Sequence, residues 1–267
     1  MPVAPGPSAV RVAQDRALEK AHFVRCGVPV APHRVIHDAS ELAHVQDDLL
    51  PGILKTTRLG YDGKGQARVN NRAELAAAFT QLQNADPSVV CILEKRLPLA
   101  AECSVVLARG ADGHTVHLPL QTNLHRDGIL AVTEVFDAAL PAETESLAIQ
   151  SAYDIARQLD YSGVLCVEFF LLQDGPVRDA LGPLVVNEIA PRPHNSGHHS
   201  INSCDVSQFE LQVRCMADLP LTMPRLHSPC VMLNLLGDLW LPHGNTPLDP
   251  DWAAVLALPG AHLHLYG

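Results

Sequence analysis

The chain has 267 residues and a formal charge of −10, from 19 basic against 29 acidic side chains, enough length for one large or two small domains without disulfide or metal staples. That charge, with aromatics at only 4%, excludes a nucleic-acid binder built on a basic groove and stacking rings. Seven cysteines without a CxxC pair read as reduced thiols of a cytoplasmic protein, and no run approaches the ~18 apolar residues of a membrane span.

Ser8 precedes a helical pattern over about 9–25, with Val12, Leu18 and Phe23 as core candidates and Gly27 and Pro29 as its stop. The segment 52–55 and the segment 67–69 flank Gly60-Tyr61-Asp62-Gly63-Lys64-Gly65-Gln66, a strand, a glycine turn and a strand. Asn70 or Asn71 caps a helix over 73–82, and 89–94 reads as a buried strand ended by Pro98. Two further strands, 104–108 and 115–120, turn at Gly110–Gly113; a polar, glycine-containing excursion then leads to a helix over about 144–159. Apolar strands at 163–172 and 184–190 are separated by an irregular segment, and Ser207 with Glu210 forms a capping box opening a helix to about Ala217. The Pro-rich opening and the stop at Leu265-Tyr266-Gly267 lead us to expect a piece of a longer protein.

Glu168 lies inside an almost unbroken apolar strand, where an ionised carboxylate is costly unless compensated. Glu188 holds the same kind of position in the next strand. If the two strands pair antiparallel about Arg178, the glutamates face one another with Cβ atoms about 5 Å apart. A hard divalent cation such as Mg²⁺ removes the repulsion; the bland alternative pairs one glutamate with a basic side chain and leaves the other at a strand edge. On pattern alone the two readings stand level.

The glycine segment is not a Walker A loop, since strand follows it where a helix would have to start. Lys55, Arg58, Lys64, Arg68 and Arg72 nevertheless bring five of nineteen basic residues into eighteen positions, an anion site or a hairpin with a solvated basic face. After Glu188, Pro191 and Pro193 prevent a helix, so His194 and His198 do not share a face as zinc ligands would in HExxH. What remains is a rigid loop whose guanidinium, imidazole, amide and hydroxyl suit a small planar oxyanion.

Lys55, Gly60–Gln66, Glu94 with Glu102, Asn123-Leu124-His125, Val167-Glu168, the run from Asn187 to His198 and Ser207-Gln208-Phe209-Glu210 together resemble the ATP-grasp family of N5-carboxyaminoimidazole ribonucleotide synthetases, from about Gln14 onward. The resemblance implies an α+β ATP-grasp fold: an entry helix and linker over 1–30, a small lid subdomain over 31–97 and a large subdomain over 98–267. It implies a ligase that carboxylates aminoimidazole ribonucleotide with bicarbonate at the expense of ATP, through carboxyphosphate, in purine biosynthesis. Arg16 and Lys55 would neutralise ATP phosphates under Gly60, Gly63, Gly65 and Gln66. Glu94, Lys95, Arg96 and Leu97 would hold adenine, Glu102 the ribose, with His125 and Asn187 as further nucleotide contacts. Glu168 and Glu188 would hold Mg²⁺. Arg192, His194, Asn195 and Ser196 would orient bicarbonate, while Tyr61, Asp62 and Lys64 would reach the second substrate and also cover ATP. The family suggests a homodimer, with no nucleic-acid or membrane partner.

The dinucleotide-fold-like domain that normally opens family members is missing from this sequence, as is the basic stretch beyond Tyr266 that grips the ribonucleotide phosphate. Two other readings therefore stay open. One is another ATP-grasp ligase of the glycinamide ribonucleotide transformylase kind; the other is a nucleotide-binding module without turnover.

Overall fold

A computed structural model describes residues 3–60, 65–241 and 246–266. Two antiparallel sheets organise them. The smaller has four strands in the order β1 (His33–Ile36), β4 (Cys91–Lys95), β2 (Gly52–Thr56), β3 (Gln66–Val69). The strand-turn-strand expected around the glycine segment is the β2–β3 pair, with Lys55 opposite Gln66. Asn71 caps α3 (Arg72–Ala85) by accepting from the Glu74 N–H, and Leu75 and Phe79 of this helix fill the small sheet's core.

The larger sheet is ordered β10 (Leu184–Ala190), β9 (Gly163–Leu172), β5 (Leu99–Arg109), β7 (Gln121–Arg126), β8 (Ile129–Val135), β11 (Cys230–Leu233), with β6 (Thr115–His117) also paired to β5. Both faces of β5 and β9 are covered, which is why they read as continuous apolar runs. Cys103, Val105, Leu107, Leu165, Val167 and Phe169 pack under α4 (Ala142–Gln158) together with Phe23. Val106, Ala108, Val164 and Cys166 point the other way, toward Leu211 of α7 (Gln208–Met216). Glu168 therefore shares the second face with Cys166, two residues before it. The capping box is present in its first half: Ser207 accepts from the Glu210 N–H, while the Glu210 carboxylate turns to Arg214 at 2.6 Å.

Three expectations need correction. The single helix over 9–25 is two helices, α1 (Pro7–Ala13) and α2 (Arg16–Arg25); Gly6, not Ser8, caps the first, and Asp15 breaks the run by adopting extended geometry and accepting from the Ala17 and Leu18 N–H groups. Leu18 is exposed, because the break rotates α2 so that Phe23, Glu19 and Lys20 face inward. The polar excursion before α4 is the β7–β8 hairpin, whose Asp127 and Gly128 both take positive φ, 52° and 80°. An Asp-Gly pair is the natural two-residue turn for such a hairpin, but only one face of it is buried, so its sequence looks like loop. The irregular 173–183 segment holds the short helix α5 (Pro176–Leu181), and the remaining helices are α6 (Ser200–Ser203) and α8 (Trp252–Leu256).

Candidate functional site

Glu168 and Glu188 are direct cross-strand partners, and Ser104 lies opposite Glu168 on its other side. This register depends on a β-bulge. Pairing begins with Leu184 opposite Leu171, a phase that would put Asn187 opposite Glu168, and the irregularity between Val186 and Glu188 advances it by one residue. Strand β10 is the edge of the sheet, and α2 supplies what a neighbouring strand would. Lys20 Nζ donates to the Asn187 carbonyl at 2.8 Å, and Glu19 Oε1 accepts from the Ile189 N–H at 2.8 Å, so adjacent side chains grip the backbone on both sides of Glu188.

Charge converges here from both sheets. Glu94 of β4 is 3% exposed and sits between Lys20 Nζ at 3.4 Å and Lys55 Nζ at 3.2 Å. Burial alone would raise its pKa, but the two ammonium groups outweigh it and hold the carboxyl at about 2. Lys55 is displaced downward, burial prevailing over the pull of Glu94. Arg16 Nη1 reaches Glu188 Oε2 at 2.9 Å, and its Nη2 donates to the Gly60 carbonyl at 3.2 Å. Burial would raise the Glu188 pKa too, yet Arg16 keeps it below the usual carboxylate range. Among the described residues Glu168 has no lysine or arginine paired with it: burial first, then the charge of Glu188, push it up to about 8. Two opposed carboxyl groups, one held low by Arg16 and the other pushed up by burial and then by its neighbour's charge, are a donor set that an oxygen-seeking divalent cation fits. The bland alternative is met only in part: Glu188 has its basic partner in Arg16, but Glu168 lies on a strand paired on both sides and not at a sheet edge.

Beyond the pair, Glu102 of β5 lies 2.9 Å from His125 Nδ1, an ionic contact without hydrogen-bond alignment. Burial lowers the imidazole pKa, but Glu102 outweighs it and the net displacement is upward. His194 Nε2 lies 3.3 Å from Glu168 Oε1, and burial, followed by the charge of Arg192, lowers that imidazole to about 4. Arg192 is exposed and donates to the Pro193 carbonyl; Asn195 begins the single 3₁₀ turn 195–197.

Ser196 faces inward, fully buried, with Oγ 2.9 Å from both His194 Nδ1 and Ser104 Oγ. A polar row runs on through Asn123, which donates to Ser104 Oγ and accepts from Thr133 Oγ1. Gln208 clasps the loop from α7, accepting from the His194 N–H at 2.8 Å and donating to its carbonyl at 2.7 Å. Gly197 packs on that clasp. A Cβ there would stand 2.6 Å from Gln208 Oε1, and Gln208 is fully buried with nowhere to retreat. Gly197→Ala is expected to destabilise the chain by ~1–3 kcal/mol, read as a lower urea midpoint, with His194 displaced.

Of the anticipated site residues, Tyr61, Asp62, Gly63 and Lys64 lie outside the described residues. Gly60, Gly65 and Gln66 flank them at the open end of the β2–β3 pair, where the Gly65 carbonyl accepts from the Thr56 N–H. Lys95, Arg96 and Leu97 continue from Glu94 into the connection between the two sheets, with the Arg96 N–H bonded to the Pro51 carbonyl. Sequence reasoning missed Glu19, Lys20 and Ser104, and took Asn123 only as part of the Asn123-Leu124-His125 motif. Glu19 and Lys20 look like the solvated face of a surface helix, and only their packing against β10 reveals otherwise.

An ATP-grasp domain family matches residues 21–209, and a phosphoribosylaminoimidazole carboxylase C-terminal domain family matches 230–267. The N5-carboxyaminoimidazole ribonucleotide synthase of Brucella melitensis is 41% identical over 268 residues, covering 99% of this chain and 68% of that protein. The crystal structure of N5-carboxyaminoimidazole ribonucleotide synthetase from Thermus thermophilus superposes with a TM-score of 0.80 at 34% identity, covering 99% of this chain and 66% of that one. The Aspergillus clavatus synthase in complex with ADP and 5-aminoimidazole ribonucleotide matches with a TM-score of 0.76 at 28% identity, over 88% of this chain and 60% of that one. This chain thus spans about two thirds of the length of the proteins it is similar to.

Proposed function

The chain belongs to the ATP-grasp family of N5-carboxyaminoimidazole ribonucleotide synthases, and from that membership we propose that it supplies the nucleotide, magnesium and bicarbonate sites for ATP-dependent carboxylation of aminoimidazole ribonucleotide in purine biosynthesis. The observation that carries this reading is the direct opposition of Glu168 and Glu188 beneath Arg16 and Lys55. Glu168 and Glu188 would hold Mg²⁺, which when bound would offset phosphate charge during phosphoryl transfer from ATP to bicarbonate.

The remaining work falls to the chain's own groups. Lys55 and Arg16 bind the phosphates, and the segment Gly60–Gln66, with Tyr61, Asp62 and Lys64 among its residues, covers them and excludes water from the carboxyphosphate. Glu94–Leu97 receive adenine along the connection between the sheets. Because the Glu94 carboxylate is already taken by Lys20 and Lys55, its part is to orient Lys55. Glu102, positioned by His125, accepts from the ribose hydroxyls, and Asn187 steadies the nucleotide end of β10. Arg192, His194 and Asn195 orient bicarbonate, while Ser196 fixes the His194 ring from within.

The two subdomains correspond to the two sheets, residues 31–97 forming the lid. The reading also includes a cytoplasmic location and a homodimer; among the described residues no helix is long and apolar enough to cross a membrane. Calorimetric titration with Mg-ATP tests it. The unaltered chain is expected to bind, and Lys55→Ala to bind at least about tenfold more weakly, a difference of ~1.4 kcal/mol. Equal affinity in the two proteins would overturn the reading.

A further inference from the structure

The face of β9 that carries Glu168 also carries Cys166, a fully buried thiol for which the reaction has no use. We propose that Cys166, Glu168 and His194 form a site for a thiophilic divalent cation of the zinc class. One ligand atom from each of the three lies within 4.8 Å of the others. His194 Nε2 and Glu168 Oε1 are 3.3 Å apart, which matches one edge of a tetrahedron with metal–ligand bonds of about 2.0–2.1 Å. The Cys166 sulfur lies within 4.8 Å of both, and closing the remaining distance is the one adjustment that the site asks of it.

The frame of the site is stiff. Cys166 and Glu168 alternate on a central strand paired on both edges. The His194 backbone is held at both N–H and carbonyl by Gln208, and its ring by Ser196 Oγ at 2.9 Å. Binding leaves the metal on thiolate sulfur, imidazole nitrogen and carboxylate oxygen with a fourth position for water. The thiol proton and the proton carried by the raised Glu168 carboxyl pass to solvent; binding through Nε2 puts the imidazole proton on Nδ1, which then donates to Ser196 Oγ and gives up the hydrogen bond it accepts from the Ser196 N–H.

Sulfur and nitrogen donors favour zinc strongly over magnesium, which seeks oxygen. Zinc at this site takes Glu168 out of its pairing with Glu188, so the two metals compete through one carboxylate. The site itself rests on donor types and distances alone; only the competition rests on the nucleotide reading.

The test uses Co²⁺ as a spectroscopic probe and Zn²⁺ in competition with a chromogenic chelator. The unaltered chain is expected to show a thiolate-to-cobalt charge-transfer band saturating at one equivalent. That band should vanish in Cys166→Ala and in Cys166→Ser, two variants whose thermal unfolding reports that they fold. Zinc affinity should fall at least about tenfold in both, because even changes outside the ligand sphere cost on the order of 10–100-fold. Zinc should weaken Mg-ATP binding by the unaltered chain and not by the variants. An unchanged band or affinity in the Cys166 variants would overturn the proposal, as would the lack of a band in the unaltered chain. A cysteine-dependent band in a chain that binds no Mg-ATP would sink the nucleotide reading and leave this site standing.

Discussion

Lys20→Met is expected to lower the stability of the chain by about 3–5 kcal/mol, seen as a fall in the urea midpoint at unchanged slope. Methionine nearly keeps the volume, so the loss comes from charge and not from a cavity. Lys20 is 1% exposed, and its ammonium both neutralises Glu94 and caps the bulge carbonyl of Asn187. Without it Glu94 keeps only Lys55, and a backbone acceptor at the sheet edge loses its donor. Mg-ATP affinity should fall with stability, because the bulge that brings Glu188 opposite Glu168 is released on one side. A midpoint matching the unaltered chain would mean that Glu94 and Asn187 do not depend on Lys20.

Glu19→Gln should change how stability depends on pH. Glu19 is buried, and burial first, then the charge of Glu188, raise its pKa from 4.5 to about 8. The folded chain therefore binds a proton that the unfolded chain releases near pH 4.5. The stability this contributes is complete below that point and is lost as pH rises toward 8. Glutamine keeps an acceptor for the Ile189 N–H without the titration. In metal-free buffer the variant should gain on the order of 2–4 kcal/mol over the unaltered chain at pH 8 relative to pH 4. Urea midpoints of the two proteins at those pH values measure it, and parallel pH curves would show that Glu19 is ionised in the fold. Some slope must survive in the variant, since Glu168 is raised to about 8 with the same sign. Glu94 acts oppositely: held at about 2, it contributes stability above pH 4.5 that is lost as pH falls through 2.

Most of the site's chemistry is legible locally. The glycines between two basic strands, the glutamate in an apolar strand and the proline-bounded histidine loop can be read without coordinates, because each violates the pattern of the element that holds it. The Glu168–Glu188 opposition is legible for a subtler reason. A symmetric hairpin about Arg178 predicts it, yet the strands begin pairing one residue out of that phase and reach it only through the bulge before Glu188. Nothing near residue 187 announces the bulge, because the groups that hold it are Glu19 and Lys20, some 170 residues earlier. The β7–β8 hairpin escaped reading for the complementary reason. Its strands alternate buried and exposed residues at the quieter end of the sheet, and a polar strand beside a turn resembles a loop.

The sequence by itself determined the family, the α+β class of the fold and the donor types available to the candidate site, since side-chain chemistry and short-range periodicity survive in one dimension. Only the tertiary structure decided which charges meet: Arg16 with Glu188, Lys20 and Lys55 with Glu94, and Cys166 with His194 beside Glu168. Those encounters are fixed by the packing of α2 on an edge strand and of a loop on a sheet face. A buried charge is tolerated or costly according to partners that the chain brings from far away.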